Sequence, residues 1–259
     1  MIPPSVESPA SRSRFTVESF ATLDSTNSEL KRRAEKAAGA IDGQVIVTDT
    51  QTAGRGRHGR EWIDQPGGSL LFSIGWTAPV ASSELAGLSL AIGVAIAGAL
   101  ESDGIDKIQL KWPNDLLLNH CKLGGILIET INAQESSVDV IIGVGINIRI
   151  DASIRDRVSG SVIGLSDAGW NGNRESLLLI LIRAVEHLLM RFPTDGFAPW
   201  RAAWIGRHAL QQRNVTIWLA GREIASGKAI DVDAEGALLL QTSAGVRRFM
   251  SGESTLRAS

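Results

Sequence analysis

Cysteine is nearly missing. The 259 residues contain one, Cys121, so an internal disulfide is impossible and a reducing compartment, the cytoplasm, is expected. An excess of either charge is missing too. Twenty-six Lys and Arg against 28 Asp and Glu leave −2, so no global field draws the chain to nucleic acid or a membrane. A membrane span is also lacking. Leu85 to Leu100 is uncharged but has only 16 residues, where a span needs about 20. Its Ala, Gly, Ser and Leu suit a closely packed helix buried in a soluble domain. Residues 1–14 are rich in Ser, Pro and Arg without an apolar core, which excludes a signal peptide and reads as a loose leader. No internal repeat, low-complexity tract, Walker loop, zinc-spaced Cys/His set or Gly-x-Ser-x-Gly elbow occurs.

What is there is an ordinary globular composition, 44% hydrophobic and 21% charged, with length for about one or two domains. Phe15 to Leu23 predicts a strand. Asp24 or Ser25 then offers a side-chain cap to a helix over Asn27 to Ala38. Gln44 to Thr50 and Ser69 to Trp76 predict strands, as do Ile108 to Lys111, Gly125 to Ile131 and Val138 to Ile150. Leu177, Leu181, Val185 and Leu188 mark a helix over Arg174 to Phe192. Two helices following a mixed sheet, then a run of short strands, suggest an α+β domain over 15–210. A small β-barrel-like appendage over 211–259 follows, with the boundary near Leu210 to Arg213.

Four clusters carry chemistry. The densest is Gly54-Arg55-Gly56-Arg57-His58-Gly59-Arg60. Its glycines spell G-x-G-x-x-G, but the continuation holds Pro66, Gly67 and Gly68 and cannot start the helix that a dinucleotide site needs. What remains is a supple backbone with fixed positive charge. Arginine binds carboxylate or phosphate through paired hydrogen bonds, and glycine lets the main chain approach an anion. The stretch favours a mobile anion clamp over a solvated basic turn or a nucleic-acid contact.

In Lys111-Trp112-Pro113-Asn114-Asp115, Pro113 stops a strand and Asn114-Asp115 signals a turn. Asp115 could hold a magnesium ion beside phosphate oxygens, or the pair is simply a hairpin turn. In Lys122-Leu123-Gly124-Gly125, missing side chains give a ligand room to reach the ammonium. His120 and Cys121 suggest a thiol and its base, but neighbours on an extended chain face apart, and Cys121 reads as a small filler. In Gly143-Val144-Gly145-Ile146-Asn147, strand glycines mark a close approach, with the Asn147 amide available to a ligand.

In order and together, these clusters resemble biotin protein ligases. The matching stretches are Asp24–Asn27, Gln51 to Trp62, Lys111–Asp115, Lys122–Glu129 and Gly143–Asn147. Gly236–Leu240 and Gly252–Arg257 resemble the family's small C-terminal domain. The resemblance implies a class II synthetase-like, biotin–lipoyl ligase fold: a mixed sheet flanked by helices, with a C-terminal SH3-like β-barrel. It implies that biotin's carboxylate attacks ATP to give biotinyl-5′-AMP and pyrophosphate. A lysine of a biotin carboxyl carrier protein then takes the biotin, with Mg2+ assisting.

By the same resemblance, Ser25, Thr26, Asn27 and Gln51 meet biotin. Gly54, Arg55 and Arg57 belong to a loop ordering over the adenylate. Arg60 faces phosphate, Trp62 meets adenine, and Lys111, Asn114 and Asp115 lie beside the phosphates and metal. Lys122 bridges carboxylate and α-phosphate as the catalytic cation. Gly125 lines the biotin pocket, Asn147 approaches the nucleotide, and Arg257 reaches ATP from the small domain. Relatives that repress transcription carry an N-terminal helix-turn-helix. The roughly fourteen residues before the first strand are too few for one, so no repressor activity and no nucleic-acid partner are expected. A monomer and a homodimer are both compatible with the resemblance. His58 stands where many relatives carry another arginine. Lipoate attachment enzymes and a non-catalytic binding module are the competing readings.

Overall fold

The computed structural model describes residues 13–258 except 159, 220 and 251–253; between 254 and 258 only the Leu256 side chain is described. Most of the leader, Gly252–Glu253 and the Arg257 side chain therefore lie outside the described residues. The larger sheet contains β1 (Thr16–Leu23), β2 (Gln44–Gln51), β3 (Ser69–Ala78), β4 (Gln109–Lys111), β5 (Asp115–Leu118), β6 (Cys121–Ile131) and β7 (Val138–Asn147). Its order is β1-β2-β3-β7-β6-β5-β4. Only β1 and β2 run parallel; the remaining pairs are antiparallel.

The helices are α1 (Thr26–Ala34), α2 (Leu88–Ser102), α3 (Ala152–Arg155), α4 (Arg174–Asp195) and α5 (Ala198–Arg207). The stretch anticipated as a buried helix is α2, shifted three residues downstream at its start because Ser82–Leu85 forms a 3₁₀ turn. Leu177, Leu181, Val185 and Leu188 of α4 are all buried, as their spacing predicts. Helix α1 stops at Ala34, four residues before the expected end. Ser25 holds its N-cap position but makes no capping hydrogen bond. Asp24 does not cap it either: it accepts from the Ser25 amide at 2.8 Å and pairs with Arg32. No helix among the described residues is long and apolar enough to cross a membrane.

Strand alternation divides the core. Val45 and Val47 of β2, Leu70, Phe72, Ile74 and Trp76 of β3, and Val140, Ile142, Val144 and Ile146 of β7 face the large apolar core under α2, α4 and α5. Ile46 and Ile141 face the other way and join Leu30, Ala34 and Ile41 in a small cluster under α1. The second face has far less apolar covering, and there the sheet carries small and polar residues.

A second sheet, β8 (Asn214–Leu219), β9 (Arg222–Val232), β10 (Leu238–Thr242), β11 (Gly245–Phe249) and β12 (Ser254–Ala258), runs in the order β11-β10-β9-β8-β12. It docks on the first unit through specific polar contacts. The buried Trp112 indole donates to the Gly236 carbonyl at 3.1 Å, and the Arg201 guanidinium reaches the Val232 carbonyl and Asp231.

His208 sits at this junction, directly after α5. Its ring stacks on Trp204 at 4.5 Å and its Nδ1 meets Gln211 Oε1 at 3.3 Å, while Gln211 Nε2 donates to Ile230. Burial pushes the imidazole down to about 4, opposed by the Gln211 bond. Its folded pKa lies below the unfolded value of about 6.5, so acid protonates the unfolded chain first. The stabilisation is whole above that value and is lost as pH falls from about 6.5 to about 4, by up to about 3 kcal/mol. His208→Phe keeps a ring but cannot titrate. Urea unfolding at pH 7.5, 6 and 5 should show the parent losing stability relative to the variant; parallel profiles would refute this role.

Candidate active site

The site grows from the sparsely covered face of the large sheet. Across its central strands, Leu71 pairs with Gly145, Gly145 with Gly125, and Gly125 with Asp115. One step along, Ser73 pairs with Gly143 and Gly143 with Leu127. Two glycines in the first row and one in the second open a trough in a surface that side chains would otherwise fill. Added carbons show what needs the space. A Cβ on Gly143 would lie 2.2 Å from Asn27 Oδ1, and one on Gly145 would lie 2.8 Å from the Trp62 ring.

Lys122 reaches this trough because of a bulge. Leu116 pairs with Gly124 and Leu117 with Lys122, leaving Leu123 as an extra residue in β6. Simple alternation would put Lys122 and Gly125 on opposite faces. The extra residue restores Lys122 to the glycine face and sends Leu123 into the core. Its Nζ lies 2.7 Å from Asp115 Oδ1 and 5.9 Å from the centre of the Trp62 ring. An ammonium has three donors; one is engaged by Asp115.

The glycine–arginine segment forms a small closed loop. Trp62 N donates to the Gly54 carbonyl at 2.9 Å and Gly56 N to the Arg60 carbonyl at 2.7 Å. Gly54 is buried at the base, where a Cβ would meet the Trp62 carbonyl at 2.8 Å. His58 turns the tip with a φ of 59° and is exposed, as its loop position suggests. Burial lowers the Arg57 guanidinium from its ordinary value, with Asp115 opposing and Arg60 adding to the shift; arginine starts so high that it stays charged.

A cavity of about 190 Å³ under the loop is lined by Ser25, Thr26, Asn27, Gln51, Arg55, Arg57, Arg60, Trp62, Asn114, Lys122 and Gly125, among others. A second, of about 310 Å³, is lined by Arg60, Trp62, Lys122, Asn147 and apolar residues including Ile150, Ile154 and Val162. Arg60, Glu61, Trp62, Lys122 and Val158 belong to both linings. Trp62 Nε1 is buried with no hydrogen-bond partner among the described residues. The arrangement is two adjoining chambers with a lysine and an arginine at their junction, suited to joining two anionic groups.

The structure thus gathers most of the anticipated residues. Lys111 is not among the lining residues; it pairs with Asp115 across a turn that contains the cis Trp112–Pro113 bond. The Asn114-Asp115 turn is present, but Asp115 also opens β5, a short strand the sequence reading passed over. Asn114 Nδ2 is held by the Ile126 carbonyl at 2.7 Å. Asn147 Nδ2 lies 3.4 and 3.3 Å from the carbonyls of Lys122 and Ile163, so its amide supports the lysine strand as well as lining a chamber. His120 is not on an extended chain. Asn119 and His120, with φ of 50° and 62°, turn the β5–β6 hairpin, and Cys121 packs partly buried against the core. Asp115 is a single carboxylate, and no group of three His, Cys, Asp or Glu able to hold a metal occurs among the described residues. That set fits magnesium, which takes one or two carboxylates and completes its shell with phosphate and water.

Reasoning from sequence missed Ser73, wholly buried in an apolar strand. Its Oγ lies 2.6 Å from Asn27 Oδ1 and 2.7 Å from Thr26 Oγ1. Asn27 Nδ2 donates to Glu129 Oε2 at 2.7 Å, which fixes the orientation of the amide. Asn27 therefore has its polar atoms taken up by protein partners and organises the floor more than it greets a ligand. Thr26 Oγ1 also lies 3.2 Å from Gln51 Oε1, which already accepts from Thr26 N at 2.8 Å. The Ser73 hydroxyl is the donor shared by Asn27 Oδ1 and Thr26 Oγ1, and the Thr26 hydroxyl donates to Gln51 Oε1.

Packing at the floor is directly testable. Gly143→Ala should cost about 1–3 kcal/mol through overpacking against Asn27. Gly98→Ala, on α2 with open space around the new carbon, should be neutral or stabilising by up to about 1 kcal/mol. Denaturant unfolding of both variants checks the contrast.

Comparison with known proteins agrees with this geometry. Residues 19–147 match the Biotin/lipoate A/B protein ligase family, and residues 213–256 match the Biotin protein ligase C terminal domain. The chain is 35% identical over 236 residues to the bifunctional ligase/repressor of Escherichia coli, covering 91% of this chain and 72% of that protein. It is 32% identical over 238 residues to the biotin–[acetyl-CoA-carboxylase] ligase of Paracoccus denitrificans, covering 87% and 94%. The biotin protein ligase from Aquifex aeolicus in complex with biotin and ATP superposes with a TM-score of 0.78 at 28% identity, covering 94% of this chain and 99% of that one. With its trough, bulged lysine and arginine loop on that shared framework, the chain belongs to the biotin protein ligase family.

Proposed function

We propose that this protein is an ATP-dependent biotin protein ligase whose two half-reactions meet at Lys122. The observation that carries the reading is the pair of adjoining chambers sharing Lys122 and Arg60. In the first half-reaction a carboxylate oxygen of biotin bonds to the α-phosphorus of ATP, and pyrophosphate leaves with the electrons of the broken P–O bond. In the second, a lysine amine of a biotin carrier protein bonds to the carbonyl carbon of the anhydride, loses a proton and expels AMP. Both substrates of the first step are anions, so positive charge placed beforehand supplies much of the catalysis.

Lys122 has two donors beyond the one directed at Asp115, suited to one carboxylate oxygen and one α-phosphate oxygen. Arg57 and Arg60 carry further charge on the loop that covers the first chamber. Ser25, Thr26, Gln51 and the Gly125 trough suit the ureido end of biotin, whose two N–H groups and one carbonyl ask for two acceptors and a donor. The apolar second chamber, with Trp62 at its mouth, suits adenine. Asp115 would hold Mg2+ together with the ATP phosphates, where the ion neutralises phosphate charge. The near-zero net charge supports small molecules and a carrier protein as partners, not nucleic acid.

Two measurements test the assignment. Lys122→Ala should lower biotinyl-AMP formation by about 10²–10³, by analogy with loss of one oxyanion donor; unchanged turnover with saturating biotin and ATP would remove Lys122 from the role. Arg57→Gly should loosen the cover over the reactive anhydride. Escaping biotinyl-AMP would then label bystander proteins, whereas a variant that retains the adenylate as long as its parent refutes the cover.

A further inference from the structure

We infer that Glu129 is a positioning residue: it latches the arginine loop to the floor of the biotin chamber and so sets how long the adenylate is retained. Glu129 lies on β6 opposite Ile141 and shares the glycine face with Gly125 and Leu127. Its Oε2 accepts two hydrogen bonds from opposite sides. One comes from Arg55 Nη2 at 3.0 Å, across 74 residues of chain. The other comes from Asn27 Nδ2 at 2.7 Å.

Asn27 passes the connection inward. Its Oδ1 accepts from Ser73 Oγ, which also reaches Thr26 Oγ1 at the chamber wall at 2.7 Å. Ser73, Asn27 and Arg55 all donate towards Glu129, so the carboxylate ends a chain that starts at the chamber floor and also holds the arginine above it. Aligned bonds of this kind strengthen one another, and each is strengthened by the charge at its end. Arg55 forms the loop's end of this tether. The Arg55–Glu129 pair is partly open to solvent, at 39% and 25% side-chain exposure, so its effect is modest in size.

The latch can be read without substrate. Trypsin cleavage after Arg57 and Arg60 reports loop opening in the free protein. Glu129→Gln should speed it three- to tenfold, with cleavage elsewhere unchanged; unaltered loop cleavage overturns the latch whatever the protein's substrate. The second reading rests on the function proposed above. After one turnover with biotin and ATP, Arg55→Ala and Glu129→Ala should each shorten biotinyl-AMP retention three- to tenfold, and the double variant should lose no more than the worse single. If the parent retains the adenylate and the two losses multiply, the residues act independently and the latch is refuted while the ligase reading stands.

Discussion

A β-strand shows its side chains alternately to two faces, and the whole site depends on how this sheet uses that alternation. On one face β3, β6 and β7 carry bulky aliphatics that bind three helices into the main core. On the other, the same strands carry Gly125, Gly143, Gly145 and Ser73. Stability is supplied by one surface, and the other is released from packing to become a binding trough. Two faces of three strands separate the tasks that a single surface could not serve together.

Charge follows the same plan. The trough brings together a lysine, a carboxylate and the loop arginines, and each cation has a reason to be where it is. The bulge at Leu123 turns Lys122 onto the glycine face, Asp115 steadies its ammonium, and the hairpin-like closure between Gly54 and Trp62 suspends Arg57 and Arg60 above. Strand register places Lys122 and Asp115 in the trough, while the arginines are carried on the loop that covers it.

Much of this was legible in the chain. Apolar, β-branched runs between turn-like stretches marked the central strands, and the three-to-four rhythm of Leu177, Leu181, Val185 and Leu188 marked α4. Glycine and arginine in alternation marked the loop, because no other residue types offer both freedom of backbone and permanent charge. Short strands such as β5 were not legible, since four residues after a turn leave no period to detect. Nor was the bulge, which depends on pairing between strands and reverses the face of Lys122. Ser73 was hidden by its apolar neighbours, and so were the bonds that Ser73 and Glu129 make to Asn27 where it lines the chamber. Those partners come from β3 and β6, far along the chain, and no local pattern announces them.

The direction of the Ser73–Asn27–Glu129 chain has one more consequence. Turning the Asn27 amide over would set its oxygen against the Glu129 carboxylate and its NH2 group against the Ser73 proton. An aspartate there, equal in outline, would face Glu129 with a second negative charge. The floor is thus specified by the order of its donors and acceptors, which no measure of shape would register.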